Sequence, residues 1–215
     1  QPALAKLVPL MQAHWNLRRA GLSEAADALQ QADPELKRRA GFAITSAAVA
    51  WAQQDASHAF EHLADSLEFT STRALVRNDF LKAFAAAAQT TDPKSMSERV
   101  EQLLTKYPDE PVVLLASAEM ATRRGDVPAA MERINRLEKV DPIPGRAAYT
   151  RARLLAMRGR LDDALAEVNR AVESAPKHTA ARVLAAQLEF SRREHTRVLE
   201  HLQAHFPEQS VRHWR

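Results

Sequence analysis

The sequence predicts an all-α protein, an α-solenoid of about six antiparallel helix hairpins. Three observations lead there: the residue types, a 34-residue spacing of turn residues, and apolar positions that recur with helical period. Only 5 of the 215 residues are glycine and 6% are aromatic, while alanine, leucine, glutamate, glutamine and arginine recur throughout. Those are helix formers, and the scarcity of glycine, aromatic and β-branched residues argues against a sheet. Hydrophobic residues at 46% and charged residues at 27% give a globular balance, enough to stabilise one or two domains or one elongated array.

The elements follow in chain order. Over residues 1–76 two loose helix pairs are expected: Leu4–Arg19 turning at Gly21 into Ser23–Gln31, and Pro34–Gln54 turning at Asp55 into Ser57–Leu67. Residues 77–110 keep Phe80, Val100, Leu103 and Pro108 in register, and Asp92-Pro93 starts the second helix where a glycine turn would otherwise stand. The next two units carry the clearest signal. RRGDVPAAMERINRLEKVDP (123–142) lies over MRGRLDDALAEVNRAVESAP (157–176), with Gly125 and Gly159, Ala130 and Ala164, and Pro142 and Pro176 each 34 apart. One more step back from Pro142 reaches Pro108. Ala148, Ala152 and Leu155 form one helical face, Gly159 supplies a left-handed stop, and Leu161, Ala164, Leu165, Val168, Ala171 and Val172 form the facing amphipathic helix. Residues 179–206 keep an amphipathic pair without the glycine, and 207–215 read as a tail.

The period, the helix–turn–helix and the G-x-[LV]-x-x-A pattern closing on proline resemble the tetratricopeptide repeat, most clearly over 111–178 and more widely over 77–206. The sequence departs at Leu114 and Ala148, where the family carries a large aromatic, and at Arg151, where it keeps leucine. The resemblance implies a right-handed superhelix whose first helices line a concave groove, and a non-enzymatic scaffold that holds an extended or helical peptide there. It selects Leu115, Glu119, Thr122 and Arg123 from one pair, Arg146, Tyr149, Arg153 and Met157 from the next, and Val183, Gln187 and Phe190 from the third. In this reading Arg146 and Arg153, flanking Tyr149, pair with an acidic or C-terminal carboxylate of the partner. The alternative reading packs Tyr149 internally and leaves the arginines to solvate a helix. Members that clamp acidic chaperone tails use lysine and asparagine, whereas the corresponding positions here are Leu81, Ala85, Leu115 and Glu119, a more apolar surface.

Other chemistries find less support. HAFEH (58–62) resembles the H-x-x-E-H zinc motif, and His201 and His205 in HLQAH repeat its histidine spacing. A third ligand, a base and a closed pocket are missing from the sequence context, so both read as polar helix faces, with no metal and no cofactor expected. Asp162-Asp163 caps a helix. No phosphate-cradling glycine loop and no nucleophile elbow occurs. The absence of cysteine excludes disulfides and thiolate chemistry, and leaves the compartment open, with a slight lean to the bacterial periplasm from compositional style.

A formal charge of +3, from 30 basic and 27 acidic residues, makes nucleic acid an unfavoured partner. An anionic polymer, polysaccharide or nucleic acid, stays as the alternative, carried by Arg192, Arg193, Arg197, Arg212 and Arg215 with Trp214. No apolar run approaches the ~20 residues of a spanning helix. A start at Gln1 reads as an excised or processed product, and a last repeat without a polar cap points to self-association. The expectation is a scaffold for a protein or peptide partner, part of a larger bacterial assembly or envelope protein in secretion, pilus or polysaccharide export.

Overall fold

The structure, a computed structural model, describes residues 6–71 and 73–203, and its regular elements there are all helices. They are α1 (Val8–Arg18), α2 (Leu22–Gln30), the single turn α3 (Pro34–Lys37), α4 (Ala40–Ala52), α5 (Ala56–Ser66), α6 (Arg73–Thr90), α7 (Pro93–Lys106), α8 (Pro111–Arg124), α9 (Val127–Val140), α10 (Arg146–Met157), α11 (Leu161–Ser174), α12 (Thr179–Ser191) and α13 (His195–Gln203). Apart from α3 there are twelve helices, read in chain order as six successive pairs, the α-solenoid class of helical hairpins that the sequence predicts. The chain divides into two compact units, residues 1–99 and 100–215.

In the N-terminal unit α1, α2 and α4 pack through Ala13, Ala25, Ala28, Leu29 and Val49. Phe60 of α5 meets Phe80 and Phe84 of α6, with ring centroids 5.2 and 6.0 Å apart in tilted geometry. In the C-terminal unit Ala148, Ala152 and Leu155 of α10, Ala164, Leu165, Val168 and Ala171 of α11, and Ala181, Ala185 and Leu188 of α12 form one cluster. These include the apolar positions read from the sequence except two: Val172 packs half-buried against the cluster, and Leu161, at the start of α11, is exposed. Alanine at so many contacts lets the helix backbones approach closely.

One turn geometry recurs where the sequence shows no common residue. Ala20, Gln54, Gly125, Gly159 and Arg193 all have positive φ, between 59° and 79°. The amide after each donates back five residues: Gly21 to Asn16, Asp55 to Ala50, Asp126 to Ala121, Arg160 to Leu155 and Glu194 to Glu189, all at 2.9–3.0 Å. This is the Schellman stop, which satisfies carbonyls at the helix end. Ala20 and Gln54 are 34 apart, and so are Gly125, Gly159 and Arg193. The first two pairs, loose by sequence, therefore share the turn of the clear repeats. Asp55 and Asp126 then cap the second helix through His58 N and Ala129 N. The third pair turns differently: Asp92 caps α7 through Ser95 N at 2.9 Å, and Pro93 opens the helix as expected.

One expectation is refined and another corrected. The first turn falls at Gly21 as expected, between Arg18 and Leu22, but its boundaries are refined: the left-handed residue is Ala20, and Gly21 has φ −80° and precedes α2. The continuous helix expected from Pro34 to Gln54 is broken: α3 ends at Lys37, and Arg39 is extended before α4. Leu36, Ala43, Ala47 and Ala50 are all buried and keep one helical phase across the break, so periodicity alone reads through it.

The junctions between successive pairs carry a second periodic feature. Ala83, Ser117, Arg151 and Ala185, on α6, α8, α10 and α12, are 34 apart and all buried. In the C-terminal unit Ser117 Oγ donates to Glu101 Oε1 of α7 at 3.1 Å and accepts from Arg133 Nε of α9 at 3.1 Å. One repeat later Arg151 reaches Asn135 Oδ1 and Glu138 Oε2 of α9 at 3.0 and 2.7 Å, and Glu167 Oε2 of α11 at 3.2 Å. Arg170 adds contacts to Glu138 and Glu167. The positions correspond: 101, 117 and 133 become 135, 151 and 167. Each such clamp ties a first helix to the second helices on both sides of it. The departure from leucine at Arg151 is thus a buried crosslink.

Candidate partner-binding surfaces

Large apolar side chains on a helix are exposed only when no neighbouring helix covers their phase. Of the eleven in the described residues, eight lie on first helices: Val8, Met11 and Trp15 on α1, Trp51 on α4, Leu75 on α6, Met157 on α10, and Val183 and Phe190 on α12. Leu161 and Leu199 lie on second helices and Ile143 in a connection. Scattered apolar residues are normal on a surface, but a bias to one helix class is not scatter.

The first helices α8, α10 and α12 hold every groove residue chosen from the sequence, and their surroundings differ. Arg123, Arg153, Met157, Val183, Gln187 and Phe190 are exposed, with Met157 and Phe190 each at 63%. Leu115, Glu119, Thr122 and Tyr149 are half-buried. Glu119 lies between two arginines: Arg123 Nε at 3.2 Å on its own helix and Arg153 at 3.3 Å from α10. That brings Glu119, Arg123 and Arg153 together as one bridge across two first helices.

Arg146 is not on the open surface. It is 8% exposed at the start of α10, with Nε 2.9 Å from Asp141 Oδ2. Tyr149 packs on the α10–α12 core and against the His178 ring, with centroids 5.0 Å apart. The pairing of Arg146 and Arg153 around Tyr149 is therefore replaced by three separate commitments, to Asp141, Glu119 and His178. The spacing that selected them respects the helix but not the turn preceding it. Gly145, at φ +77°, brings the start of α10 so close that a Cβ there would sit 2.7 Å from Ala171 O, drawing Arg146 inward.

The N-terminal unit carries a first-helix cleft missed in the sequence. Ile44 and Trp51 of α4, Leu63 of α5, and Leu75, Asp79 and Lys82 of α6 line about 430 Å³. Trp51 is 48% exposed and Leu75 75%. Asp79 and Lys82 pair at 3.4 Å at its polar side. The available signal was that Trp51 and Leu75 fall outside the buried phase of their helices.

The histidine motif resolves into helix-end chemistry. His58 Nδ1 lies 2.6 Å from Asp55 Oδ2, and Glu61 accepts from Arg99 Nε at 2.8 Å. The bonds from His58 hold Asp55 below the usual carboxylate range, the backbone bond contributing most. Burial pushes His62 below the usual imidazole range. No group of three or more His, Asp or Glu positioned to hold a metal occurs among the described residues. His205, Arg212, Trp214 and Arg215 lie outside those residues. Arg192 and Arg197 pair with Asp162 at 3.2 Å and Glu189 at 3.4 Å. No described helix is long and apolar enough to cross a membrane.

These helix pairs have counterparts among known proteins. A tetratricopeptide repeat model matches residues 115–179 and 149–205. No curated protein matches the chain in sequence. Among solved structures, PilW, described as a widely conserved type IV pilus biogenesis factor, is 16% identical with TM-score 0.63, covering 96% of this chain and 98% of that one. A tetratricopeptide repeat protein from Parabacteroides merdae is 15% identical with TM-score 0.67, covering 93% of this chain and 78% of that one. Pseudomonas aeruginosa PilF is 15% identical with TM-score 0.58 and covers 99% of each. At such identities the likeness is one of fold. The sequence match and the recurrent turn agree: residues 115–205 carry tetratricopeptide repeats.

Proposed function

We propose that the chain is a non-enzymatic scaffold that binds a protein or peptide partner on its first helices. The tetratricopeptide fold is generally a non-catalytic frame for protein interaction. The observation that carries the reading here is the concentration of exposed large apolar side chains on first helices. An amphipathic helix or an apolar strand buries such anchors on binding, and aromatic anchors contribute most. In the C-terminal unit Met157 and Phe190 act as anchors, with Leu115, Gln187 and the Arg123–Glu119–Arg153 bridge as surrounding contacts; Tyr149 and Arg146 support the surface from beneath. In the N-terminal unit the Trp51–Leu75 cleft does the same work.

The setting we favour is a larger bacterial assembly or envelope protein, in pilus, secretion or polysaccharide-export machinery. Pilus assembly comes first to test, because a pilus biogenesis factor shares the fold over nearly the whole chain. The test is crosslinked affinity capture from the source cells with two sets of variants. Trp51→Gln with Leu75→Gln, and Met157→Gln with Phe190→Gln, should reduce a captured partner several-fold at unchanged helicity. Leu161→Gln and Leu199→Gln on second helices should not. Loss confined to the second-helix variants would contradict the reading.

A further inference from the structure

The N-terminal unit contains a junction of the same design as the two clamps, but open. Counting from the positive-φ turn residues, Gln30 of α2, Ser46 of α4 and His62 of α5 occupy the places that Asn135, Arg151 and Glu167 hold in the C-terminal unit. Gln30 is 10 residues after Ala20, and Asn135 is 10 after Gly125; Ser46 and His62 flank Gln54 by 8, as Arg151 and Glu167 flank Gly159. Ser46 is buried like the other central side chains, at 5% exposure. Unlike Ser117 and Arg151, its hydroxyl has no hydrogen-bond partner. Alanine stands at the remaining centres, Ala83 and Ala185, and needs none.

In place of a clamp there is a cleft of about 400 Å³ lined by Gln30, Ser46 and His62, with Leu29, Phe42 and Val49 among its apolar walls. That volume falls in the range of small-ligand sites, ~300–1,000 Å³. Each closed clamp contains at least one guanidinium and at least one carboxylate. The open one has its cation, Lys37, whose ammonium among the described residues makes a long 3.4 Å bond to the Gln30 carbonyl and pairs with no carboxylate there. The one acid in the lining, Asp55, has both oxygens committed to His58. The missing member is an acid. Gln30 and Gln53 amides, the Ser46 hydroxyl and Lys37 Nζ are donors lining the cleft beside apolar walls.

We infer that the cleft between α2, α4 and α5 is a binding site for a carboxylate carried on an apolar body, which completes the junction that the chain leaves open at Ser46. The acid is a free small molecule or the C-terminal carboxylate of a peptide. The site is separate from the first-helix surfaces, so it stands or falls without them.

The test titrates the full chain with 4-methylpentanoate and with N-acetyl-leucyl-leucine, each against its matched amide, following Gln30 and Gln53 side-chain amides and the His62 ring by NMR. Binding of either acid, with its amide about tenfold weaker, is expected; which acid binds identifies the source. Lys37→Gln, an exposed change, should weaken the acid about tenfold at unchanged Tm. A triple variant, Gln30→Asn, Ser46→Arg and His62→Glu, copies the closed clamp and should lose binding. Should it fail to fold, Lys37→Gln decides alone. Amides binding as well as acids, no acid binding at millimolar concentration, or full affinity in Lys37→Gln would each overturn the inference.

Discussion

The junction at Arg151 and the junction at Ser46 occupy the same places in their helix pairs and reach opposite outcomes. At Arg151 a guanidinium meets Asn135, Glu138 and Glu167, and the space between second helices is closed. At Ser46 the side chain is short, its neighbours Gln30 and His62 supply neither a carboxylate nor a guanidinium to meet it, and about 400 Å³ stays open. The difference teaches that the 34-residue geometry sets where a buried central side chain stands, while the charged residues that meet it from the second helices decide whether the junction becomes a crosslink or a cleft: Ser117, a serine like Ser46, is closed by Glu101 and Arg133.

The strongest way to break that comparison is to remove the crosslink. Arg151→Ala leaves Glu138 and Glu167 facing space lined by helices, and should cost about 3 kcal/mol. Urea unfolding of the full chain measures it. A loss below about 1 kcal/mol would show that Arg170, which also touches both carboxylates, suffices, and that the clamp is not what closes the junction.

The turns give a smaller and two-signed effect. Gly125 and Gly159 take positive φ without a Cβ, whereas Gln54 and Arg193 take it with one. Gly159→Ala should destabilise by about 1 kcal/mol, and Gln54→Gly or Arg193→Gly should stabilise by up to about 1 kcal/mol, in thermal unfolding. Equal effects of one sign at all positions would show that the shared turn is not under the shared strain.

The smallest effect is in pH. Burial lowers His62 from its ordinary value of 6.5, so the unfolded chain binds the proton more readily than the folded one. The stability this contributes is present above pH 6.5 and is lost as pH falls through the lower folded value. His62→Gln should flatten the decline in Tm between neutral pH and pH 5. An unchanged slope would assign the decline to carboxylates, of which Glu138, held low chiefly by its bond from Arg151, is one.

Much of this architecture was legible in the sequence because it rests on residues with one structural meaning. Gly125 and Gly159 mark left-handed stops, and Pro108, Pro142 and Pro176 each stand two residues beyond the end of a helix. Where the same geometry is carried by Ala20, Gln54 or Arg193, nothing in the residue type announces it. The candidate surface was legible by helix but not by side chain. Spacing placed Met157 and Phe190 on exposed faces, yet could not show that Asp141 draws Arg146 inward or that His178 covers Tyr149. Those contacts depend on connections outside the helices. The open junction was invisible for a further reason: Gln30, Ser46 and His62 become one feature only when the turn residues align them.

The central claim, that first helices meet the partner, is tested most directly by a photo-crosslinking scan in the source cells. A photoreactive residue would be placed in turn at Trp51, Leu75, Met157 and Phe190 on first helices, and at Leu161 and Leu199 on second helices. The account predicts one protein adduct shared by the first-helix positions and absent from the other two. An adduct formed equally at Leu161 and Leu199, or only there, would contradict it.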